Sequence, residues 1–166
     1  NKPKGLFKSI YNKYKIKFIQ MDLTNEKKLN KILNKKFDYI FHCASYGQPK
    51  KWKNNEYKTI YLNINLVKQI LEHSVKNKSR ILYFSSAAVY KIPKDKKIVN
   101  ENSSLDVGKF PGEIIYANSK IIGEQLCKIY KKKYNLPIYI VRPAHTYGPG
   151  QDFKDHRFIP QILKRA

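Results

Sequence analysis

Acidic residues are scarce in this chain. Twelve Asp and Glu stand against 34 Lys and Arg in 166 residues, a formal net charge of +22. Long apolar runs are missing as well. The longest span a few residues, as in IYIV at 138–141, against the ~20 that a membrane span requires, so no membrane partner is expected. No signal peptide is expected either, because lysines break up the N-terminal stretch and no continuous apolar core follows. Cysteine is limited to Cys43 and Cys127. They have no partner spacing and write neither a disulfide framework nor a metal motif. Reduced thiols in a cytoplasmic protein are the simplest reading. His42, His73, His145 and His156 show no ligand spacing, and no metal is expected. Arginine occurs only at Arg80, Arg142, Arg157 and Arg165, while lysine is spread over nearly every segment. A nucleic-acid footprint would cluster its charge and favour Arg. A general drift toward Lys, Asn, Ile and Tyr explains the charge better than an RNA or DNA partner does.

What is present suits a folded globule. Apolar residues make up 42% of the chain and aromatics 13%, and the length supports one modest core. Strand-like and helix-like segments alternate. Residues 16–23, 37–45, 80–90 and 136–144 have strand character. Residues 25–36, 56–78 and 118–135 have helical spacing, and 157–166 open a further helix in which Pro160 limits the first turn. This alternation implies βαβ units and a doubly wound parallel sheet, with ligands beyond the carboxyl ends of the strands. Polar residues gather at those ends: Asp22, His42 to Ser45, Ser85 with Ser86, and Arg142 to Tyr147.

The stretch IIYANSKIIGEQLCKIY, 114–130, sets Tyr116 four residues before Lys120. Such residues are neighbours on a helix and can pack side by side on a wet face. The chemical alternative is a base. A free phenol titrates near ~10, and a cation beside it favours the phenolate. A Tyr-x-x-x-Lys pair can then take a proton from a substrate hydroxyl.

Six segments, MDLTN, FDYIFHCAS, NINLVKQILE, YFSSAAVY, YANSK and VRPAHTYGPG, occur in order over most of residues 16–150. Together they resemble the extended short-chain dehydrogenase/reductase family, in its nucleotide-sugar epimerase/dehydratase branch near UDP-glucose 4-epimerase and UDP-glucuronate decarboxylase. The resemblance implies a Rossmann-like α/β domain over 1–166, NAD as cofactor and a nucleotide-diphosphate sugar as substrate. It makes Tyr116 the catalytic base, Ser86 its hydroxyl partner, and Lys120 the residue that holds the ribose and lowers the Tyr pKa. It places Asp22 and Leu23 at the adenine end. Cys43, Ala44 and Ser45 fall where small residues let the dinucleotide approach the backbone. Asn63, Ser85 and Pro143 complete the cofactor set. Ser86, His145 and Arg157 would meet the sugar nucleotide, although His145 replaces the more usual Asn. The family often dimerises through helices that fall here at 56–78 and 114–134. Without the resemblance, Ser86 is an ordinary strand-end hydroxyl, Asp22 an N-cap that Thr24 or Asn25 could equally provide, Asn63 an exposed helix residue, and Arg157 a solvated surface group.

Two departures shape the expectation. Only Gly5 precedes Asp22, so the family's Gly-rich pyrophosphate loop has no counterpart. The first βα unit and the C-terminal substrate domain are expected to be absent. The chain, starting at Asn1 without Met, is expected to be the middle of one about twice as long, binding NAD weakly by itself. After Ser86 come Ala87 and Ala88, where dehydratases of the family carry an acidic pair and decarboxylases usually a Glu at the second position. Dehydration needs an acid and a base that alanine lacks. Epimerisation through a transient 4-keto sugar is therefore the first expectation. UDP-glucuronate decarboxylation is the alternative, since ASYGQPKKW at 44–52 resembles that neighbourhood. An inactive nucleotide- or RNA-binding Rossmann module is the rival from another class.

Overall fold

A computed structural model of the chain describes residues 10, 13–46, 49–90, 98–105, 111–148 and 158–165. They fall into two compact units, Leu23–Ala144 and the paired segments Asn1–Asp22 with His145–Ala166.

The larger unit is a three-stranded parallel sheet with helices. Its elements are α1 (Glu26–Leu33), β1 (Tyr39–His42), α2 (Pro49–Lys53), α3 (Glu56–Ile60), α4 (Leu66–Asn77), β2 (Arg80–Phe84), α5 (Pro111–Tyr134) and β3 (Ile138–Val141). The strands lie in the order β1-β2-β3, with Ile40 opposite Ile81 and Ile81 opposite Ile138. Parallel neighbours need a crossover, and α4 and α5 lie in the two connections. Alternate residues of each strand face opposite sides. Ile81, Tyr83 and Ile138 are buried, whereas Tyr39, Phe41 and Tyr139 on the other face are more than half exposed. Leu66, Val67, Ile70 and Leu71 of α4 and Ala117 and Cys127 of α5 are buried as well, and α5 lies against β3. Each such aliphatic side chain contributes about 1.5–3 kcal/mol on full burial.

Local chemistry explains the helix ends. Asn25 caps α1 by accepting a hydrogen bond from the Lys28 N–H at 3.1 Å, so the cap is Asn25 and not Asp22. Beyond α4 and α5, Lys78 (φ 54°) and Asn135 (φ 50°) adopt the left-handed conformation that stops a helix. Lys131 to Lys133 sit in the last turn of α5, where cations suit the dipole.

Between α3 and α4, Tyr61–Asn65 form a π-helical turn. Turns of this kind often mark functional sites. This one turns Asn63 fully inside and sets its carbonyl against α5. A Cβ built on Gly123 would lie 2.7 Å from that carbonyl oxygen and would also strike Tyr83. Only glycine allows this approach.

Three expectations need correction. Residues 16–23 form no strand. Their composition favours one, but a strand exists only by pairing, and the smaller unit has no strand among its described residues. The helix expected from residue 118 begins at Pro111, which places Tyr116 well inside it. The strand expected over 80–90 ends at Phe84, and Ala87–Val89 form a 3-10 turn instead. In the smaller unit, α6 (Phe158–Arg165) buries Pro160.

Candidate active site

The end of β2 and the second turn of α5 build the site. Ser86 is extended (φ −161°, ψ 151°) and caps the turn that follows, its Oγ accepting the Ala88 N–H at 3.2 Å. The Ala87 N–H donates to the Pro143 carbonyl at 3.0 Å. This bond continues the β2–β3 ladder and holds the Ser86 segment against the end of β3. Tyr116 and Lys120, one turn apart on α5, are 7% and 2% exposed. This is an interior pair and not a wet helix face.

Lys120 Nζ donates to the Phe84 carbonyl at 2.7 Å. It lies 5.2 Å from the ring centroid of Tyr83 and 5.9 Å from that of Tyr116. The ammonium thus sits against two aromatic rings, an attractive arrangement in a desolvated place. Burial lowers its pKa from 10.5 to about 8, and Cys43 partly opposes this. The group remains a cation at neutral pH. His42 stacks on Tyr83 with planes 11° apart, and its ring Nε2 lies 3.1 Å from the Leu62 carbonyl. Burial first, then the Lys120 charge, lowers the His42 pKa to about 4. The imidazole is therefore neutral and donates to that carbonyl through Nε2–H.

Tyr116 behaves differently from the expectation. Its pKa lies above the ordinary 10, because burial disfavours the phenolate and the Ser86 hydrogen bond only partly opposes this. With Nζ 5.9 Å from the ring centroid and the phenol pKa still raised by burial, the cation does not produce the phenolate unaided.

A second layer fixes the first. The buried Asn63 donates from Nδ2 to Ser119 Oγ at 2.9 Å, and Ser119 Oγ donates to the Tyr116 carbonyl at 2.8 Å. Below them Glu124, fully buried, receives both Nε and Nη2 of Arg142 at 2.8 and 2.7 Å. Burial works to raise the Glu124 pKa, but the Arg142 bonds first, then Ser85 and the charges of Arg142 and Lys128, outweigh it and bring it below 4.5.

The other expected residues divide. Leu23, Cys43 and Ala44 line one hollow of about 300 Å³ along β1. Ser85 is buried at the end of β2, and the buried Ser45 Oγ has no hydrogen-bond partner among the described residues. Asp22 and His145 belong to the smaller unit. Arg157 lies outside the described residues. A polar hollow of about 340 Å³ between α1 and α4, with Gln69 and His73 in its wall, shares no residue with the site. Sequence reasoning missed Trp52, Tyr83 and the Glu124–Arg142 pair. Glu124 could have been found, since it continues the four-residue spacing of Tyr116 and Lys120 on one helix face.

The family model for the NAD dependent epimerase/dehydratase family matches residues 4–166. The chain belongs to this family. Among curated relatives, an uncharacterized UDP-glucose epimerase, YtcB, of Bacillus subtilis (strain 168) is 33% identical over 135 residues, covering 77% of this chain and 40% of that protein. The bifunctional polymyxin resistance protein ArnA of Wigglesworthia glossinidia brevipalpis is 32% identical over 152 residues, covering 90% of this chain and 23% of that protein. The chain therefore spans less than half the length of these relatives. The solved structure of UDP-glucuronic acid 4-epimerase from Bacillus cereus in complex with NAD matches with a TM-score of 0.68 at 29% identity, covering 94% of this chain and 48% of that one. As a member of the NAD-dependent epimerase/dehydratase family, the chain has a truncated Rossmann-like fold, and NAD is the cofactor of its family. The residues suit the nicotinamide–ribose half of that cofactor. Lys120 keeps two ammonium protons beyond the one given to Phe84, the side chains at Cys43, Ala44 and Ser45 are small, and Ser45 Oγ is an orphaned polar atom at the strand end.

Proposed function

We propose that this chain carries the catalytic half of a nucleotide-sugar epimerase that works through a transient 4-keto sugar. The observation that carries the reading is the shared burial of Tyr116 and Lys120 beside Ser86 at the carboxyl end of β2. Tyr116 takes the proton of the sugar C4 hydroxyl. Ser86, already hydrogen-bonded to Tyr116, holds the reacting oxygen and relays that proton. Lys120, the strand-end residues Cys43, Ala44, Ser45, Ser85 and Pro143, and Asn63 of the π-helical turn hold the cofactor's ribose and nicotinamide. Bound NAD would supply the hydride acceptor for the oxidation, the same hydride for the return step and, while oxidised, the positive charge that Tyr116 needs beside it. The same Tyr116 returns the proton after the keto sugar turns its other face. Leu23 and Asp22 serve the adenine end, and His145 and Arg157 the sugar nucleotide.

Epimerisation is favoured over dehydration and decarboxylation because Ala87 and Ala88 offer no acid or base, and Glu124 is committed to Arg142. The exposed Ile122 and Ile129 of α5, with Tyr57 and Ile60 of α3, form the proposed surface for pairing with a second copy. The test is a mass spectrum of products from the full-length protein, NAD and a panel of UDP-, GDP-, CDP- and dTDP-sugars. An unchanged mass with altered chromatographic retention is expected. Loss of carbon dioxide or water would instead assign a decarboxylase or a dehydratase.

A further inference from the structure

One face of the Tyr116 ring is covered by a residue outside the motifs. The indole of Trp52, on the short helix α2, stacks on it with ring centroids 4.2 Å apart and planes 28° apart. Trp52 is the single tryptophan of the chain. Its Nε1–H is buried without a hydrogen-bond partner among the described residues. An orphaned buried donor costs more than ring stacking returns beyond its buried area.

The indole is also well anchored. The Trp52 carbonyl accepts the Asn55 N–H at 3.1 Å, and Asn55 Nδ2 donates to the Lys51 carbonyl at 2.9 Å. The fully buried Thr59 then ties Asn55 to α3 through Oγ1, at 2.9 Å from the Asn55 carbonyl. We infer that Trp52 is a positioning residue, which through Asn55 and α3 holds the Tyr116 phenol at the angle where its oxygen meets Ser86 and the substrate hydroxyl. The inference rests on Tyr116 being the base. A tyrosine ring turns about two side-chain torsions, and an aromatic plate stacked on its face restricts both. Freed from the plate, the phenol oxygen wanders on the scale of an ångström, and a misplacement of about 1 Å costs up to roughly 10²-fold in rate.

The test compares Trp52→Ala, Trp52→Leu and Trp52→Phe in the full-length protein. Ala and Leu are expected to lower kcat by about ten- to a hundredfold, with KM for NAD and for the nucleotide sugar within about twofold of wild type. Leu keeps apolar volume without an aromatic face, so it separates positioning from simple packing. Phe restores most of the rate. A second readout needs no turnover. The indole emission, taken as wild type minus Trp52→Phe, shifts to longer wavelength in Tyr116→Ala and stays in place in Tyr116→Phe. Wild-type kcat in Trp52→Leu, in an enzyme that Tyr116→Phe inactivates, overturns the positioning role. Emission indifferent to Tyr116→Ala overturns the stack itself. Activity that survives Tyr116→Phe overturns the base assignment, and this inference with it.

Discussion

Replacing Arg142 by Leu takes from the buried Glu124 carboxylate its guanidinium partner. Glu124 is fully buried, and the Arg142 side chain is 11% exposed. Two short hydrogen bonds join them, a third runs from Arg142 Nη1 to the Glu101 carbonyl at 3.0 Å, and the guanidinium lies 4.8 Å from the centre of the Tyr90 ring. Removing one partner of such a pair costs about 3–5 kcal/mol, because the other is left buried and unpaired. For a chain of this size that is a fall in Tm of about 6–20 °C. Glu124→Gln added to Arg142→Leu should recover more than half of the loss, since the remaining group is then a neutral amide. The pH dependence has a definite sign. In the wild type the Glu124 pKa lies below 4.5, so its stabilisation is present above that value and is lost as pH falls through the folded pKa. In Arg142→Leu the carboxyl is relieved by taking up a proton. The gap between the two proteins therefore narrows from about pH 7 toward about pH 4. Thermal or urea unfolding of the three proteins across this range is the assay. A loss under about 1 kcal/mol for Arg142→Leu, or a gap that does not narrow, refutes the reasoning.

Lys120→Met tests the buried cation. The folded pKa of about 8 lies below the ordinary 10.5, so wild-type stability relative to Lys120→Met rises with pH across that window and is lost as pH falls through 8. Unfolding curves for both proteins measure this, and a flat difference contradicts it. Gly123→Ala drives a methyl into Tyr83 and the Asn63 carbonyl. It should cost about 1–3 kcal/mol or more in denaturant unfolding, and a neutral result would mean that α5 and the π-helical turn can move apart to admit the methyl group. Ile129→Asp, at a position 56% exposed, should convert the proposed dimer to a monomer in gel filtration, while an unaltered dimer would place the interface elsewhere.

The parts of this fold that follow from local pattern were legible. The βαβ alternation could be read because α4 and α5 keep one apolar stripe each and the strands are short and rich in Ile, Tyr and Phe. Residues 16–23 carry the same composition, yet pairing decides whether a strand forms, and pairing is not written in the strand itself. The helix α2 was invisible because PKKWK is too short to show a period, and so the Trp52 contact was invisible too. Tyr116 and Lys120 were legible as a pair from their spacing, while the electrostatic consequence was not. Spacing states which groups are neighbours. Burial and the direction of Nζ, toward the rings and the Phe84 carbonyl, decide the pKa, and both depend on Tyr83 and on the depth of α5.

The most direct test of the proposed chemistry follows the C4 hydrogen. The full-length protein is given trace NAD and a nucleotide sugar deuterated at C4, and the product is examined by mass spectrometry alongside Tyr116→Phe. Deuterium is expected to stay in the sugar, NAD is not consumed, and Tyr116→Phe gives no product. Loss of the label to solvent, or turnover that persists in Tyr116→Phe, would contradict the proposed chemistry.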